Sequence, residues 1–140
     1  MFYLKQPLYF ECTACGACCT GGTDHYIAVN NNEAELIRKH LGVTLNWFRR
    51  RYIEHLTRDS WSIRLQDGQC VFLNQQGHCK IYNLRPTQCK TYPYWPELLE
   101  TKKNWLNERK HCEGINKGQQ ISIRHIKRQL KTQLDAEDDI

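Results

Sequence analysis

The most informative absence in this 140-residue chain is that of a long apolar run. No stretch approaches the roughly 18 to 20 apolar residues that a helix needs to cross a bilayer, so the sequence predicts no membrane span. The first ten residues, MFYLKQPLYF, also lack the basic start, apolar core and small-residue cleavage site of a secretory signal. We therefore expect a cytoplasmic protein whose thiols stay reduced.

Motifs that would indicate a particular reaction are missing as well. The sequence has no phosphate-binding glycine loop and no serine-nucleophile motif. It has no internal repeat, and its length suits one domain. We predict a single domain over residues 1–135, followed by an acidic, solvated tail over residues 136–140. Whether the protein is an enzyme stays open, because no reaction is readable from these residues.

Cysteine, in contrast, is abundant, with eight residues. The four clustered near the N-terminus are Cys12, Cys15, Cys18 and Cys19. The four dispersed along the chain are Cys70, Cys79, Cys89 and Cys112. Thiolates are preferred ligands of zinc and of iron–sulfur clusters, and both need several thiolates converging on one point. The chain therefore holds enough candidate ligands for two four-thiolate sites.

A disulfide framework is the first alternative, because an even number of cysteines in a short chain fits one. The expected reducing compartment argues against it. The adjacent pair Cys18-Cys19 argues against it too, since its disulfide ring would strain the intervening peptide bond. Neighbouring residues project in different directions, so we expect Cys18 and Cys19 to serve different metals, or one of them to be a reactive thiol.

The spacing of the clustered cysteines bears on the identity of the metal. Cys12-x2-Cys15-x2-Cys18 matches the three-cysteine comb of bacterial ferredoxin-type sites, which a distant fourth thiolate completes. No cysteine directly precedes proline, so we do not expect a two-cluster ferredoxin. The Cys-x2-Cys-Gly turn suits zinc equally well, because glycine permits the tight turn that both kinds of site use. Spacing alone leaves both metals open.

Several linked motifs resemble those of a known family. They are C-x2-C-x2-C-C, Cys70-x-Phe72-Leu73, Cys79-x-Ile81-Tyr82-x2-Arg85-Pro86-x2-Cys89 and Tyr92-Pro93. Together they resemble the CxxCxxCC cysteine-cluster family, described as zinc- or iron-chelating and often as small iron–sulfur proteins. The resemblance runs from about Cys12 to Cys112. It implies seven ligands, Cys12, Cys15, Cys18, Cys19, Cys70, Cys79 and Cys89.

We add Cys112 as an eighth ligand because eight cysteines make up two four-thiolate sites and because of its position in the chain. The resemblance favours an iron–sulfur cluster, four-iron in type, over zinc. Three classes of function remain open. They are electron transfer or an oxidoreductase-like role, a zinc-stabilised surface for a protein partner, and metal handling or sensing by a reactive thiol.

Arg85 and Tyr82 lie between two expected ligands and are candidate cofactor-binding residues. Arg85 can donate a hydrogen bond to a cluster sulfur or offset thiolate charge. Alternatively, Arg85 and Pro86 set a turn and Arg85 pairs with a surface carboxylate.

Histidines are weaker candidates for a mixed sulfur–nitrogen site. His78 and His111 each precede a cysteine, and Asp24-His25 follows the cluster closely enough to act as an acid–base pair. Eight thiols already suffice for two sites, so we expect these histidines to be surface or capping residues.

The fold expected from the remaining pattern is α+β, an irregular domain of short helices and a small β-meander. Helices are predicted over 33–41, 45–56 and 122–134, and strands over 27–29, 61–65, 70–73 and 79–82. Asp67-Gly68 predicts a turn, and the two prolines within residues 92–96 predict irregular backbone.

The partner is the least readable property. The formal charge is +5, and two thiolate metal sites of about two negative charges each would reduce it to roughly +1. We therefore interpret the excess of basic over acidic residues as partly a counter-charge for the metal sites. A nucleic-acid partner is not expected, because Trp47 and Phe48 are predicted to pack on the core side of a helix, and lysine and arginine commonly line the solvated side of such a helix. A protein or redox partner is expected without identity, and the oligomeric state is not readable.

Overall fold

The computed structural model describes residues 1–13, 26–58 and 60–138. Within them the fold is α+β, as the sequence predicts. The helices of this part of the chain are α1 (Asn31–Leu41), α2 (Leu45–Arg51), α3 (Thr87–Thr91), α4 (Pro96–Leu99), α5 (Lys102–Asn107) and α6 (Ile123–Asp138). The strands are β1 (Tyr9–Phe10), β2 (Ala28–Val29), β3 (Ile53–Thr57), β4 (Ser60–Ile63), β5 (Leu65–Gln66), β6 (Gln69–Cys70) and β7 (Ile115–Gln120). None of the described helices is long and apolar enough to cross a bilayer.

The strands form small antiparallel sheets rather than one large sheet. β4 lies between β2 and β3, β1 pairs with β7, and β5 pairs with β6. In the three-stranded sheet Ile53 lies opposite Ile63, and both side chains are buried. The two residues of β2 are buried as well, which agrees with the strand predicted over 27–29.

α1 confirms the helix predicted over 33–41. The Asn30 side chain accepts a hydrogen bond from the Glu33 N–H, and the Glu33 carboxylate accepts one from the Asn30 N–H. This reciprocal capping box satisfies N–H groups that have no partner within the helix. At the other end Gly42 adopts a left-handed conformation, with φ of 69°, and ends the helix.

The helix predicted over 45–56 is wrong in its second half. Thr44 caps α2 as expected, but the helix ends at Arg51, and residues 53–57 form β3. Tyr52 packs on Phe48, with ring centroids 5.7 Å apart. The two residues are four positions apart, and this helical spacing is what suggested a longer helix. The next residues pair with β4 instead, because that pairing buries Ile53 and gives its backbone partners in a sheet.

The meander predicted around the central cysteines is shorter than expected. β6 contains only Gln69–Cys70, and the segment after it contributes a single bridge between Leu73 and Cys79. A 3₁₀ turn, Tyr82–Leu84, replaces the end of the strand predicted over 79–82.

The C-terminal helix is longer than predicted. α6 runs to Asp138, so Ala136 to Asp138 belong to a helix and not to the start of a tail. Ile126 and Leu130 are its buried apolar residues, whereas Ile123 and Leu134, expected on the same side, are exposed. The helix therefore packs through a narrower stripe than the sequence pattern indicates.

Two hydrophobic clusters organise the described residues. The first gathers α1, α2, β2 to β4 and the central cysteine segment around Ile37, Phe48 and Phe72. The second gathers the N-terminus, α4, α5, β7 and α6 around Leu8, Trp105 and Ile126.

We predict that Gly114→Ala destabilises the protein through a clash with the backbone that directly follows β1. A Cβ at residue 114 would lie 1.8 Å from the Glu11 carbonyl oxygen, and backbone cannot move aside as a flexible side chain does. Overpacking of this kind costs about 1–3 kcal/mol or more of unfolding free energy, measurable by urea denaturation. Gly42→Asn is the control, because asparagine tolerates the left-handed conformation and a Cβ at residue 42 meets nothing within 4 Å. Equal losses in the two variants would contradict this account of Gly114.

We also predict a loss of stability at high pH caused by Tyr94. Burial in the second cluster raises the pKa of Tyr94 from 10.0 to about 12. Between these values the unfolded chain loses the phenolic proton while the folded protein keeps it, so the free energy of unfolding falls as pH rises. At about 1.4 kcal/mol per pKa unit, the loss is roughly 2–3 kcal/mol between pH 10 and 12. Tyr94→Phe should abolish this component, whereas Tyr26→Phe, which alters a half-exposed ring, should retain it.

Candidate metal centre

Cys70 is positioned by a two-residue hairpin turn between β5 and β6. Asp67 and Gly68 both have positive φ, 52° and 78°, as the sequence pattern predicts for this turn. The hairpin places Cys70 opposite Leu65 and leaves 6% of the cysteine exposed. The end of the hairpin thus carries a cysteine into the first hydrophobic cluster.

The backbone after Cys70 turns so that it donates to the sulfur. The Phe72 N–H lies 3.4 Å from the Cys70 Sγ, and the Leu73 N–H donates to the Cys70 carbonyl at 3.0 Å. Donation by a backbone N–H to sulfur stabilises the thiolate form, which is the form that binds metal. Phe72 anchors this turn, because its buried ring stacks on Tyr52 at 5.2 Å and 10°.

Cys79 returns to the same turn through a closed loop. The Asn74 side chain accepts hydrogen bonds from the N–H groups of Gln76 and His78, at 3.0 and 2.9 Å. The Lys80 N–H then donates to the Phe72 carbonyl at 2.8 Å. Cys79 is therefore held, half-buried, against the segment that follows Cys70.

Cys89 lies in α3, a helix of five residues. Its N–H donates to the Pro86 carbonyl at 2.9 Å. One Glu33 oxygen, Oε2, accepts hydrogen bonds from the Thr87 N–H at 2.6 Å and the Thr87 hydroxyl at 2.9 Å. α1 thereby fixes the start of the helix that carries Cys89.

Gln88, the residue before Cys89, holds the chain as it leaves the N-terminal cysteine cluster. Its Oε1 accepts a hydrogen bond from the Ala28 N–H at 3.1 Å, and its Nε2 donates to the Tyr26 carbonyl at 2.6 Å. The Trp95 indole in turn donates to the Gln88 carbonyl at 3.1 Å. The described chain therefore resumes at Tyr26 directly beside the Cys89 helix.

Cys112 lies at the other end of this arrangement, on a segment that runs beside the segment of Cys12. The Glu11 N–H donates to the Gly114 carbonyl at 3.1 Å, and the Thr13 hydroxyl donates to the Glu113 carboxylate at 2.6 Å. These contacts flank both cysteines, so the segments that carry them run side by side. Cys12 is exposed and Cys112 is buried in the second cluster.

The predicted ligands are thus distributed over distinct places. Cys70, Cys79 and Cys89 belong to or pack against the first cluster, and Cys112 belongs to the second. Cys15, Cys18 and Cys19 lie outside the described residues, as do Asp24 and His25. In the three ranges that the structure describes, no three Cys, His, Asp or Glu side chains are grouped as a metal site.

Arg85 and Tyr82 contact each other. The Arg85 guanidinium carbon lies 4.0 Å from the Tyr82 ring centroid, and Arg85 Nε donates to the Tyr82 carbonyl at 3.0 Å. Within the described part of the chain Arg85 forms no ion pair with a carboxylate. Tyr82 is 56% exposed, so the stacked pair lies at the surface beside the turn that leads to Cys89.

The candidate histidines that the structure describes are held by ordinary contacts. His78 is exposed, and its N–H belongs to the loop that Asn74 closes. The His111 ring packs edge-on against Tyr92, with centroids 6.5 Å apart.

A cleft of about 200 Å³ opens between α3 and α6, beside the helix of Cys89. Several of its polar lining groups already serve the fold. Gln133 accepts a hydrogen bond from the Thr91 hydroxyl at 2.6 Å and donates to Glu137 at 3.1 Å. Glu33 and Gln88 hold backbone groups as described above. These groups fasten α3 to its neighbours and thereby fix the position of Cys89.

Sequence reasoning missed the residues that position the cysteines. Glu33, Gln88, Glu113 and Gly114 act across separations of 54 to 103 residues, which no local pattern reveals. Adjacency to Cys89 and Cys112 is the one signal that marks Gln88 and Glu113 in the sequence.

A match to one family describes the character of the cysteine constellation. Residues 11–113 match the family CxxCxxCC, "Putative zinc- or iron-chelating domain". An uncharacterized protein of Methanocaldococcus jannaschii is 26% identical over 120 residues, covering 83% of this chain and 63% of that protein. The chain thus spans less than two thirds of the length of this relative. No solved structure is significantly similar.

We predict that Gln88→Leu weakens the hold on the segment that carries the clustered cysteines. The change removes two hydrogen bonds and leaves the buried Ala28 N–H without its acceptor, which costs about 1–3 kcal/mol. Faster loss of metal to a chelator and a lower urea midpoint are expected. Gln66→Leu, on an exposed strand position, is the matched control. Unchanged chelator kinetics in Gln88→Leu would show that this clamp does not support the metal centre.

Proposed function

Because the chain belongs to the CxxCxxCC family of zinc- or iron-chelating domains, we propose that it is a cytoplasmic iron–sulfur protein. Its cysteine thiolates hold a cluster of the four-iron type, and its role is to exchange electrons with a protein redox partner. Family membership supports metal binding itself. The cluster, the compartment and the redox role are the parts that this proposal adds.

The observation that carries the proposal is the anchoring of the cysteine cluster at both ends. Cys15, Cys18 and Cys19 lie on the residues that join Thr13 to Tyr26. Thr13 is held beside the Cys112 segment and Tyr26 beside the Cys89 helix. The clustered cysteines therefore sit on the covalent connection between the two regions that contain the dispersed cysteines.

The limits of the family match support Cys112 as a ligand. The match begins at residue 11, just before Cys12, and ends at residue 113, just after Cys112. These are also the residues at which β1 and β7 bring the two segments together. We assign Cys12 and Cys112 to one metal site and Cys70, Cys79 and Cys89 to another. The described residues do not already group these three cysteines as a metal site, so metal binding would have to draw them together. Cys15, Cys18 and Cys19 complete the two sets.

The donors that the structure describes suit a thiolate site. A bound cluster supplies reversible one-electron chemistry. The turn after Cys70 supplies an N–H donor to sulfur, and the first cluster supplies apolar packing around Cys70 and Cys79. Both features influence how easily a thiolate site accepts charge. Arg85, stacked on Tyr82 near Cys89, is the cation we propose to offset that charge.

Zinc is the second candidate. Backbone donation to sulfur at Cys70 suits a four-thiolate zinc site as well as it suits iron. In that case the metal would link the two hydrophobic clusters and stabilise the fold, and the protein would present a surface to a partner without redox chemistry.

The deciding experiment is metal and acid-labile sulfide analysis of protein purified without oxygen, together with its absorption spectrum. We expect iron with matching sulfide, and a broad band near ~400 nm that bleaches on reduction. Colourless protein containing zinc and no sulfide would overturn the iron proposal and leave the zinc alternative.

Single variants test the assignment of the ligands. Cys112→Ser and Cys70→Ser should each lower the metal content by one site, while Cys112→Ser/Cys70→Ser should remove both. His78→Ala and His111→Ala are the controls and should keep full metal. Arg85→Ala should shift the reduction potential of the bound cluster without removing it. Full metal content in Cys112→Ser would exclude Cys112 as a ligand, and an unchanged potential would exclude the role of Arg85.

A further inference from the structure

Two segments of this chain are strongly basic, residues 38–64 and residues 102–131, and the first of them also carries exposed tryptophans. Residues 38–64 contain seven of the 20 lysines and arginines but only two of the 15 acidic residues. The other 113 residues contain 13 basic and 13 acidic residues and are therefore neutral. All eight cysteines lie outside residues 38–64. Residues 102–131 contain nine basic and two acidic residues and include Cys112, so a counter-charge for metal thiolates can account for that segment but not for the cysteine-free residues 38–64.

The fold gathers the cysteine-free segment into α2 and the hairpin of β3 and β4. We define the arginine face by its exposed or half-exposed basic and aromatic residues. They are Trp47, Arg49, Arg50, Arg51, His55, Arg58 and Trp61. The salt bridges of the described residues involve none of these four arginines, although Arg64 nearby pairs with Glu54 at 3.6 Å.

The aromatic rings of the arginine face are stacked with cationic groups. His55 and Trp61 lie opposite each other in the hairpin, with ring centroids 3.9 Å apart and planes inclined by 26°. The Arg49 guanidinium carbon lies 5.3 Å from the Trp61 ring centroid. Arg64 holds this part of α2 to the hairpin by donating to the Arg49 carbonyl at 3.3 Å. Trp61 is thus held between His55 and Arg49 at the surface.

The exposure of Trp47 removes one of the two reasons for expecting no nucleic-acid partner. The sequence predicted that Trp47 and Phe48 both pack inward, but only Phe48 is buried, and 47% of Trp47 is exposed. The Arg51 guanidinium carbon lies 5.1 Å from the Trp47 ring centroid. A large half-exposed aromatic residue with an arginine over it is a base-stacking element rather than part of the core.

We propose that the arginine face binds single-stranded nucleic acid. Arginines without a carboxylate partner neutralise successive phosphates, while the half-exposed Trp47 ring and the guanidinium planes stack on unpaired bases. An acidic protein partner would pair with the positive charges of the arginine face, but its carboxylates would not stack on the exposed aromatic ring. Screening over about 8 Å at physiological ionic strength keeps the face locally positive even when metal thiolates elsewhere are negative.

The test is fluorescence anisotropy with a labelled 12-nucleotide oligouridine and metal-loaded, full-length protein. Affinity should fall as salt rises, with a log–log slope of about −0.7 for each phosphate neutralised. Arg50→Gln should weaken binding and reduce the steepness of that slope by about 0.7. Arg124→Gln, an equal change of charge on exposed α6, is the matched control and should leave both quantities unchanged.

Trp47→Leu tests the stacking part of the proposal. It should weaken binding about fivefold or more while leaving the salt slope unchanged, because it removes a ring and no charge. Far-UV circular dichroism and metal content confirm that each variant remains folded.

Several results would overturn the proposal. They are binding without salt dependence, no binding at low salt, equal losses in Arg50→Gln and Arg124→Gln, and no effect of Trp47→Leu. Displacement of the oligonucleotide by an equimolar glutamate-rich peptide would instead identify an acidic protein as the partner.

Discussion

The contact between Glu11 and Gly114 is the constraint on which the arrangement of the second cluster depends. The two backbones approach so closely that only glycine fits at residue 114. This approach aligns β1 with β7, seals Leu8 and Ile115 inside the second cluster, and brings the segment of Cys12 beside the segment of Cys112. Chain closure over about 100 residues costs conformational entropy, which the burial of apolar side chains offsets.

Two hydrophobic clusters, each with its own cysteines, explain why the N-terminal cysteine motif lies where it does. β1 contributes to the second cluster and β2 to the first. The chain between these strands carries Cys15, Cys18 and Cys19. In the proposed assignment a metal would therefore cross-link parts of the fold that otherwise meet mainly through α3 and α6.

Local chemistry was readable from the sequence, and long-range pairing was not. The cap at Asn30, the stop at Gly42 and the Asp67-Gly68 turn follow from residue type at a short spacing. The end of α2 at Arg51 does not follow from residue type at a short spacing. Residues 53–57 form a strand rather than a helix because they pair with β4. The same holds for the candidate site. Cysteine spacing indicated metal, whereas Gln88 and Glu33 hold Cys89 through contacts more than 50 residues apart. The positions of Cys15, Cys18 and Cys19 stay predictions.

The Glu33 carboxylate couples the start of α1 to the start of α3. Glu33 accepts hydrogen bonds from its own helix cap through one oxygen and from Thr87 through the other. α3 is too short to be helical alone, so its order depends on such neighbours. Fraying of α1 would remove the acceptor that starts α3, and the two helix ends must open together. The placement of a cysteine in the middle of the chain is therefore set by the first turn of a helix that begins 58 residues earlier.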